Sequence, residues 1–238
     1  MVTQHTAKAF DSDLLELARK VAEMGGLAEK EIADAVDALA RRDQDFARRV
    51  IALDKSIDAL QSEIEEKAIL TIARRQPMAV DLREIVGALR IANDLERIGD
   101  LAKNIAKRVL DLSGEFPSQK VIRGVEHMSA LVLTQLKQVL DAYLTRNLNN
   151  AIAVWRGDEE IDALCTSLFR ELLTYMMEDP RNISFCIHLL FCAKNIERMG
   201  DHATNIAETV HYMIEGKPIA EQRPKGDTTS LAAAAAGH

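Results

Sequence analysis

The 238-residue chain is predicted to be all-α, with six helices forming two tandem three-helix bundles related by an internal pseudo-twofold repeat. Three observations predict this. The segment Glu96-Arg97-Ile98-Gly99-Asp100-Leu101-Ala102-Lys103-Asn104-Ile105-Ala106 returns as Glu197-Arg198-Met199-Gly200-Asp201-His202-Ala203-Thr204-Asn205-Ile206-Ala207, with eight of eleven positions identical, the mark of a duplicated unit. Apolar residues make up 47 % of the chain but aromatics only 4 %, a Leu/Ile/Val/Ala core that suits close-packed helices better than a sandwich of strands. Gly and Pro are scarce and fall at the ends of periodic segments.

Apolar residues recur at helical spacing along almost the whole chain. Helix one is predicted from about Asp13 to Arg41, crossing Gly25-Gly26, and helix two from about Gln44 to Arg75, stopped by Pro77. Helix three runs from Val80 to about Leu112. The breakers collected in Ser113-Gly114-Glu115-Phe116-Pro117-Ser118 mark the division between halves. Helix four covers about Gln119 to Thr145, and helix five about Asn150 to Glu178, stopped by Pro180 as Pro77 stopped helix two. Helix six covers about Ile183 to Ile214. Residues 1–112 are thus expected to form the first bundle, 113–118 a linker and 119–216 the second bundle. Residues 217–238, polar with an Ala-rich end and no apolar periodicity, are expected to be a disordered tail. Short connections between long helices imply antiparallel neighbours.

A net charge of −7 leaves no broad basic footprint for nucleic acid, and the doublets Arg41-Arg42, Arg48-Arg49 and Arg74-Arg75 lie among acidic residues. Cys165, Cys186 and Cys192 match no zinc or redox spacing and read as reduced thiols. The polar stretch Met1 to Asp13 lacks an apolar signal core, and the richest apolar run, Ile187 to Ala193, is too short to span a bilayer. A cytoplasmic protein that meets membrane complexes only peripherally is the expectation.

Each half also carries a second acidic pair, Asp54/Asp58 on helix two and Asp158/Asp162 on helix five. Like charges four apart on a helix share a face and repel by a few tenths of a kcal/mol. A polyvalent cation reverses that sign. Together with Glu96/Asp100 and Glu197/Asp201, and helped by the amides of Asn104 and Asn205, these are hard oxygen donors suited to magnesium, manganese, calcium or iron rather than to a thiolate zinc site. On a helical wheel at about 100° per residue, Asp100 and Asn104 fall within about 80° of Glu96, while Ile91, Leu95, Ile98, Ala102, Ile105 and Val109 centre about 210° away. The second copy places Glu197, Asp201 and Glu208 likewise. Any metal is therefore expected on the bundle surface, in a groove between helices. Gly99 and Gly200, each costing about 1 kcal/mol within a helix, suggest close approach of another group or a packing notch. Arg97 and Arg198 read as carboxylate partners or surface ion pairs, and His202, beside Asp201, is the histidine placed nearest a metal.

With Glu-Arg-Ile-Gly-Asp and Glu-Arg-Met-Gly-Asp in hand, the chain resembles the PhoU family of bacterial phosphate-signalling regulators. His5-Thr6 with Phe10, Met24-Gly25-Gly26, Ala73-Arg74-Arg75-Gln76-Pro77, Asp81-Leu82-Arg83 and Thr174-Tyr175-Met176-Met177-Glu178-Asp179 carry the same likeness, which spans about residues 5 to 215. The resemblance implies two tandem three-helix bundles and a negative regulator of phosphate uptake and of the phosphate-starvation response. It implies contact with the histidine kinase PhoR and the transporter ATPase PstB, and a homodimer is expected. It further implies metal ions, with iron, manganese, magnesium or zinc as the candidates. Carried over, the ligands would be Asp54, Asp58, Glu96 and Asp100 in one bundle and Asp158, Asp162, Glu197 and Asp201 in the other, with Asn104, Asn205, Arg97, Arg198, Glu208 and His202 around them.

Two other classes compete with this adaptor. A ferritin-like redox protein needs inward-facing Glu-x-x-His pairs from two helices, and only Glu208-Thr209-Val210-His211 matches. A purely structural helical scaffold would leave the acidic pairs solvated. No Gly-x-Ser-x-Gly elbow or phosphate-cradling Gly-rich loop supports a hydrolase.

Overall fold

The computed structural model describes residues 2–112, 119–221 and 223, with the backbone alone for residues 2–9 and 119. The linker 113–118 and the tail beyond 223 lie outside the described residues. The elements are α1 (Val2–Arg41), α2 (Gln44–Arg75), α3 (Val80–Asp111), α4 (Gln119–Thr145), α5 (Leu148–Arg156), α6 (Asp158–Glu178), a 3-10 turn (Pro180–Asn182) and α7 (Ile183–Glu215). The six-helix plan holds, with helix five delivered as α5 and α6. The break falls at Gly157, whose N–H reaches the carbonyls of Ala153 and Val154 at 3.1 and 3.0 Å. Asp158, Glu159 and Glu160 then open α6, where negative charge is favoured by the helix dipole. Helix one is longer than expected, because the chain is helical from Val2.

The duplication extends to the turns. Arg42 (φ 56°) and Arg146 (φ 52°) both stand in the left-handed region, a common way to end a helix. The next residue in each case caps the following helix: Asp43 accepts from the Phe46 N–H at 2.8 Å, and Asn147 from the Asn150 N–H at 3.2 Å. At the end of α2, Gln76 (φ 50°) returns its N–H to the Ile72 carbonyl at 3.0 Å, ahead of Pro77.

In the first half α1, α2 and α3 pack on one another; in the second, α4 and α7 pack with α5 and α6. The halves join through α3 against α7 and α1 against α4. Arg90 lies over the Tyr212 ring, His202 Nδ1 lies 2.9 Å from Asp94 Oδ1, and Arg108 sits 4.0 Å from the Phe191 ring centre. As numbers rise along α3 they fall along α7, so the two helices are antiparallel. Arg146, in the turn after α4, pairs with Glu84 of α3 at one end of this seam. Ile91, Leu95, Ile98, Leu136, Ile196 and Met199 are among the fully buried residues, each contributing about 1.5–3 kcal/mol through burial. The outer helices, α2 on one flank and α5–α6 on the other, each cover one acidic motif.

Candidate functional site

The first groove is built by three helices. Asp54 and Asp58 come from α2 and Glu96 and Asp100 from α3. Asp54 is buried, Glu96 and Asp100 are half-buried and only Asp58 is exposed. In the second groove, Asp158, Asp162 and Glu197 are buried and Asp201 is half-buried. The carboxylates do lie in a groove between helices, but it is more enclosed than the bundle surface expected: a neighbouring helix closes each cleft on one side. The wheel compared the motif with the apolar stripe of its own helix. In a three-helix bundle each helix meets two partners, and the second partner covers the face that a single wheel assigns to solvent.

Each groove contains a cation from the chain itself. In the first, Lys103 Nζ donates to Asp54 Oδ2 at 2.7 Å and Asp100 Oδ1 at 2.5 Å. Burial works against the Lys103 charge, but its bonds to Asp100 and Asp54 hold its pKa above the ordinary lysine value. Burial likewise opposes ionisation of Asp100, yet Lys103 keeps that carboxyl below its usual range. Glu96 is displaced the other way, raised by burial and by the charge of Asp100. In the second groove, the residue equivalent to Lys103 is Thr204, whose hydroxyl lies 3.2 Å from Asp158 Oδ1. The cation that joins Asp158 and Asp201 there is Arg223, which donates through Nη2 to Asp158 Oδ2 at 2.8 Å and to Asp201 Oδ1 at 2.5 Å. Glu197 accepts from Lys194 at 2.7 Å. Burial raises both Asp158 and Glu197, against the pull of Arg223 and Lys194 respectively.

One participant escaped the sequence reading. Glu31 of α1 is 0 % exposed, and neither of its carboxylate oxygens has a hydrogen-bond partner. It faces the first groove from beneath. Burial first, and the charge of Asp54 second, push its carboxyl up to about 8, so it is protonated at neutral pH. The matched glycines locate its counterpart. A Cβ on Gly99 would meet Ile57 and Glu31, whereas one on Gly200 would meet Ile161 and Val132. Val132 therefore replaces Glu31 in the second half. The signal was available, since Met24, Ala28, Glu31, Ala35 and Ala38 form an apolar seam at spacings of four and three, and a carboxylate in such a seam marks a buried charge.

The peripheral candidates fare differently. Arg97 is exposed and sits 3.4 Å from Glu96 and 3.6 Å from Asp100, a surface ion pair. Arg198 and Asn104 are exposed. His202 and Asn205 do not face the carboxylates of their own half: His202 Nδ1 and Asn205 Nδ2 lie 2.9 and 3.4 Å from Asp94 across the inter-bundle seam. This corrects their assignment beside a metal, because α7 turns that edge toward α3. Glu208 accepts from the Trp155 indole at 3.0 Å, and His211 Nδ1 lies 3.1 Å from the Lys217 carbonyl, so this Glu-x-x-His pair is engaged away from any shared carboxylate centre. The expected disorder of 217–238 also fails for its first part. Ile219 packs against the core, Glu221 lies 3.7 Å from Arg156, and Arg223 enters the second groove.

The donor chemistry of the first groove suits a hard cation: five carboxyl groups, with both oxygens of Glu31 buried and without a hydrogen-bond partner. In the second, one Glu197 oxygen is likewise unpartnered. Among the described residues no three His, Cys, Asp or Glu side chains converge on one point; Lys103 and Arg223 take up carboxylates that would have to turn toward an ion. Also among the described residues, no helix is long and apolar enough to cross a membrane.

The family described as "PhoU domain" matches this chain twice, at residues 21–109 and 125–210, one match per bundle. A phosphate-specific transport system accessory protein PhoU homolog of Rhizobium meliloti (strain 1021) is 58 % identical over 226 residues, covering 95 % of each chain. That of Caulobacter vibrioides (strain NA1000 / CB15N) is 54 % identical, covering 96 % of this chain and 100 % of its own. Among solved structures, the crystal structure of PhoU from Pseudomonas aeruginosa superposes with a TM-score of 0.83 at 38 % identity, covering 87 % of this chain and all of that one. The phosphate transport system regulatory protein PhoU from Streptococcus pneumoniae gives 0.82 at 30 % identity, covering 89 % and 100 %. The chain belongs to the PhoU family of phosphate-specific transport system accessory proteins.

Proposed function

We propose that this protein is a non-enzymatic adaptor that restrains phosphate uptake and the phosphate-starvation response by binding the ATPase of the phosphate transporter, PstB, and the histidine kinase PhoR. The observation that carries this reading is the pair of matched acidic grooves on opposite flanks of one helical body, in a chain of the PhoU family. Two grooves give two places at which charge can govern docking, and among the described residues neither groove combines a nucleophile, base and oxyanion donor of the kind an acyl- or phosphoryl-transfer site requires. The carboxylates Asp54, Asp58, Glu96 and Asp100, joined by Glu31, would hold a hard cation in the first groove; Asp158, Asp162, Glu197 and Asp201 would hold one in the second. Bound manganese, iron, magnesium or zinc would supply positive charge that neutralises these clefts and resets the surface a partner meets. The side chains themselves fix the outer helix against the inner pair. The protein acts in the cytoplasm, as a homodimer.

Purified full-length protein is to be tested for binding to the cytoplasmic portion of PhoR and to PstB, with and without manganese. Saturable binding to either is expected, and a strain lacking the protein should express phosphate-starvation genes in rich phosphate until the wild-type chain is restored. No binding in either condition, together with normal repression in the deletion strain, would overturn the adaptor reading. The ferritin-like alternative would be revived by oxygen consumption on iron loading. The scaffold alternative would be favoured by metal content and stability unchanged in Asp100→Asn and Asp201→Asn.

A further inference from the structure

We propose that Arg223 latches the C-terminal strap into the second groove as a built-in counter-cation, and that a divalent cation entering that groove displaces it and releases the strap. The displacement rests on the cation reading above; the latch stands on geometry alone.

The strap begins where α7 ends, at Gly216 in the left-handed region (φ 74°), with its N–H on the Tyr212 carbonyl at 2.9 Å. It then doubles back. Ile219 packs on the core, Glu221 reaches Arg156 at the end of α5, and Arg223 arrives at the first turn of α6. Its Nη2 joins Asp158 of α6 to Asp201 of α7, while its Nε adds a second bond to Asp158 Oδ2 at 3.1 Å. The Arg223 side chain is 17 % exposed and that of Asp158 is 3 % exposed, so the guanidinium is seated in the cleft rather than resting on the surface. A planar fork spanning two carboxylates is the arrangement that guanidinium groups form best.

The comparison between halves explains why this residue is needed. The first groove carries its cation on α3, as Lys103, three residues from Asp100 and fixed by the helix. At the matched position the second half has Thr204, which is neutral. Without Arg223, the buried Asp158 would face Asp162 and Asp201 with no cation bonded to it among the described residues. The first counter-charge can only swing on its own side chain, because α3 holds its backbone in the bundle. The second is tethered by a strap whose other contacts, among the described residues, are one apolar side chain, one long ion pair and the Lys217 carbonyl 3.1 Å from His211 Nδ1, so it can leave together with its segment. A divalent ion and the guanidinium would compete for the carboxylates of Asp158 and Asp201, and like charge in so small a cleft sets one against the other.

The test uses the full-length chain and manganese. Hydrogen exchange is followed at the amides of Lys217, Ile219, Ala220 and Glu221 in wild type, Arg223→Ala and Arg223→Lys. Manganese affinity of the second groove is measured by calorimetry in a background carrying Glu96→Gln and Asp100→Asn. Without metal, Arg223→Ala should exchange at least about fivefold faster than wild type at these amides, with Arg223→Lys between them. Manganese should bring wild type to the Arg223→Ala rate, and Arg223→Ala should bind manganese about fivefold or more tightly, a gain of about 1 kcal/mol. Unchanged exchange in Arg223→Ala overturns the latch. Manganese that binds the second groove while wild-type exchange stays slow overturns the displacement and leaves the cation reading intact. Manganese that binds neither wild type nor Arg223→Ala removes the cation reading and the displacement together, with the latch still decided by the metal-free exchange.

Discussion

Glu31 and Gly99 touch across the base of the first groove: a methyl group added at Gly99 would stand 3.2 Å from Glu31 Oε2 and 2.9 Å from Ile57 Cδ1. The glycine makes room for a buried carboxyl, a titrating group whose place in the other half is taken by Val132.

Because the folded-state pKa of Glu31 lies near 8 against a reference of 4.5, raised by burial first and by Asp54 second, the folded protein holds a proton that the unfolded chain releases between those values. The contribution is fully present below about pH 4.5 and is lost as pH rises through about 8. Its upper bound is on the order of 4–5 kcal/mol. Urea unfolding of chelator-treated protein across this window should show stability falling with pH in wild type and a flatter profile in Glu31→Gln. Parallel profiles would show that Glu31 does not titrate there.

The glycines predict unequal costs. Gly99→Ala meets a buried carboxyl and Ile57 at 2.9 Å, while Gly200→Ala meets Ile161 Cδ1 at 3.1 Å and Val132 only at 3.8 Å. Overpacking should cost Gly99→Ala about 1–3 kcal/mol. In Gly200→Ala a smaller clash is offset by the gain of about 1 kcal/mol in helix propensity, leaving it near neutral. The two thermal midpoints, measured side by side, decide this.

Lys103→Thr makes the first groove resemble the second but supplies no arginine. Breaking a pair with the buried Asp54 should cost about 3 kcal/mol in chelator, the lower end for such losses because Lys103 is partly exposed. Manganese should restore much of this loss and should bind the variant more tightly than wild type. A variant as unstable with manganese as without it would argue against cation binding in this groove.

Across the seam, Asp94 and His202 form a contact between bundles at 2.9 Å. A double-mutant cycle with Asp94→Asn and His202→Gln should return a coupling of about 1 kcal/mol. Zero coupling would mean that packing alone joins α3 to α7 at this point.

The helices were largely legible in the sequence because amphipathic periodicity and breakers agree: α2 and α4 have the bounds that Pro77 and the Ser113–Ser118 cluster suggest, and α3 and α7 differ from expectation by a residue. Gly157 was read through because apolar spacing continues across it, although the acidic run that follows is a helix start. Asp54 was legible as buried, since it occupies a stripe with Val50, Ile57 and Leu60. That stripe shows only when α2 is read as well as α3. Glu31 lies outside the doubled motif, so comparing the repeats passes over it. Lys103 against Thr204 was one of the three differences within that motif, and its spacing from Asp100 signalled an ion pair. Arg223 left no trace, because a strap without periodicity carries no register from which to place its side chain.

The antiparallel contact of α3 with α7 has a mechanical consequence. Its side-chain contacts run from Arg90 to Arg108 on α3, about 27 Å at 1.5 Å per residue, and contain both the half-buried contact of His202 with Asp94 and two cation–ring contacts. A joint of that length holds the two halves at several points along both helices rather than at one, so the loss of any single contact leaves the others in place.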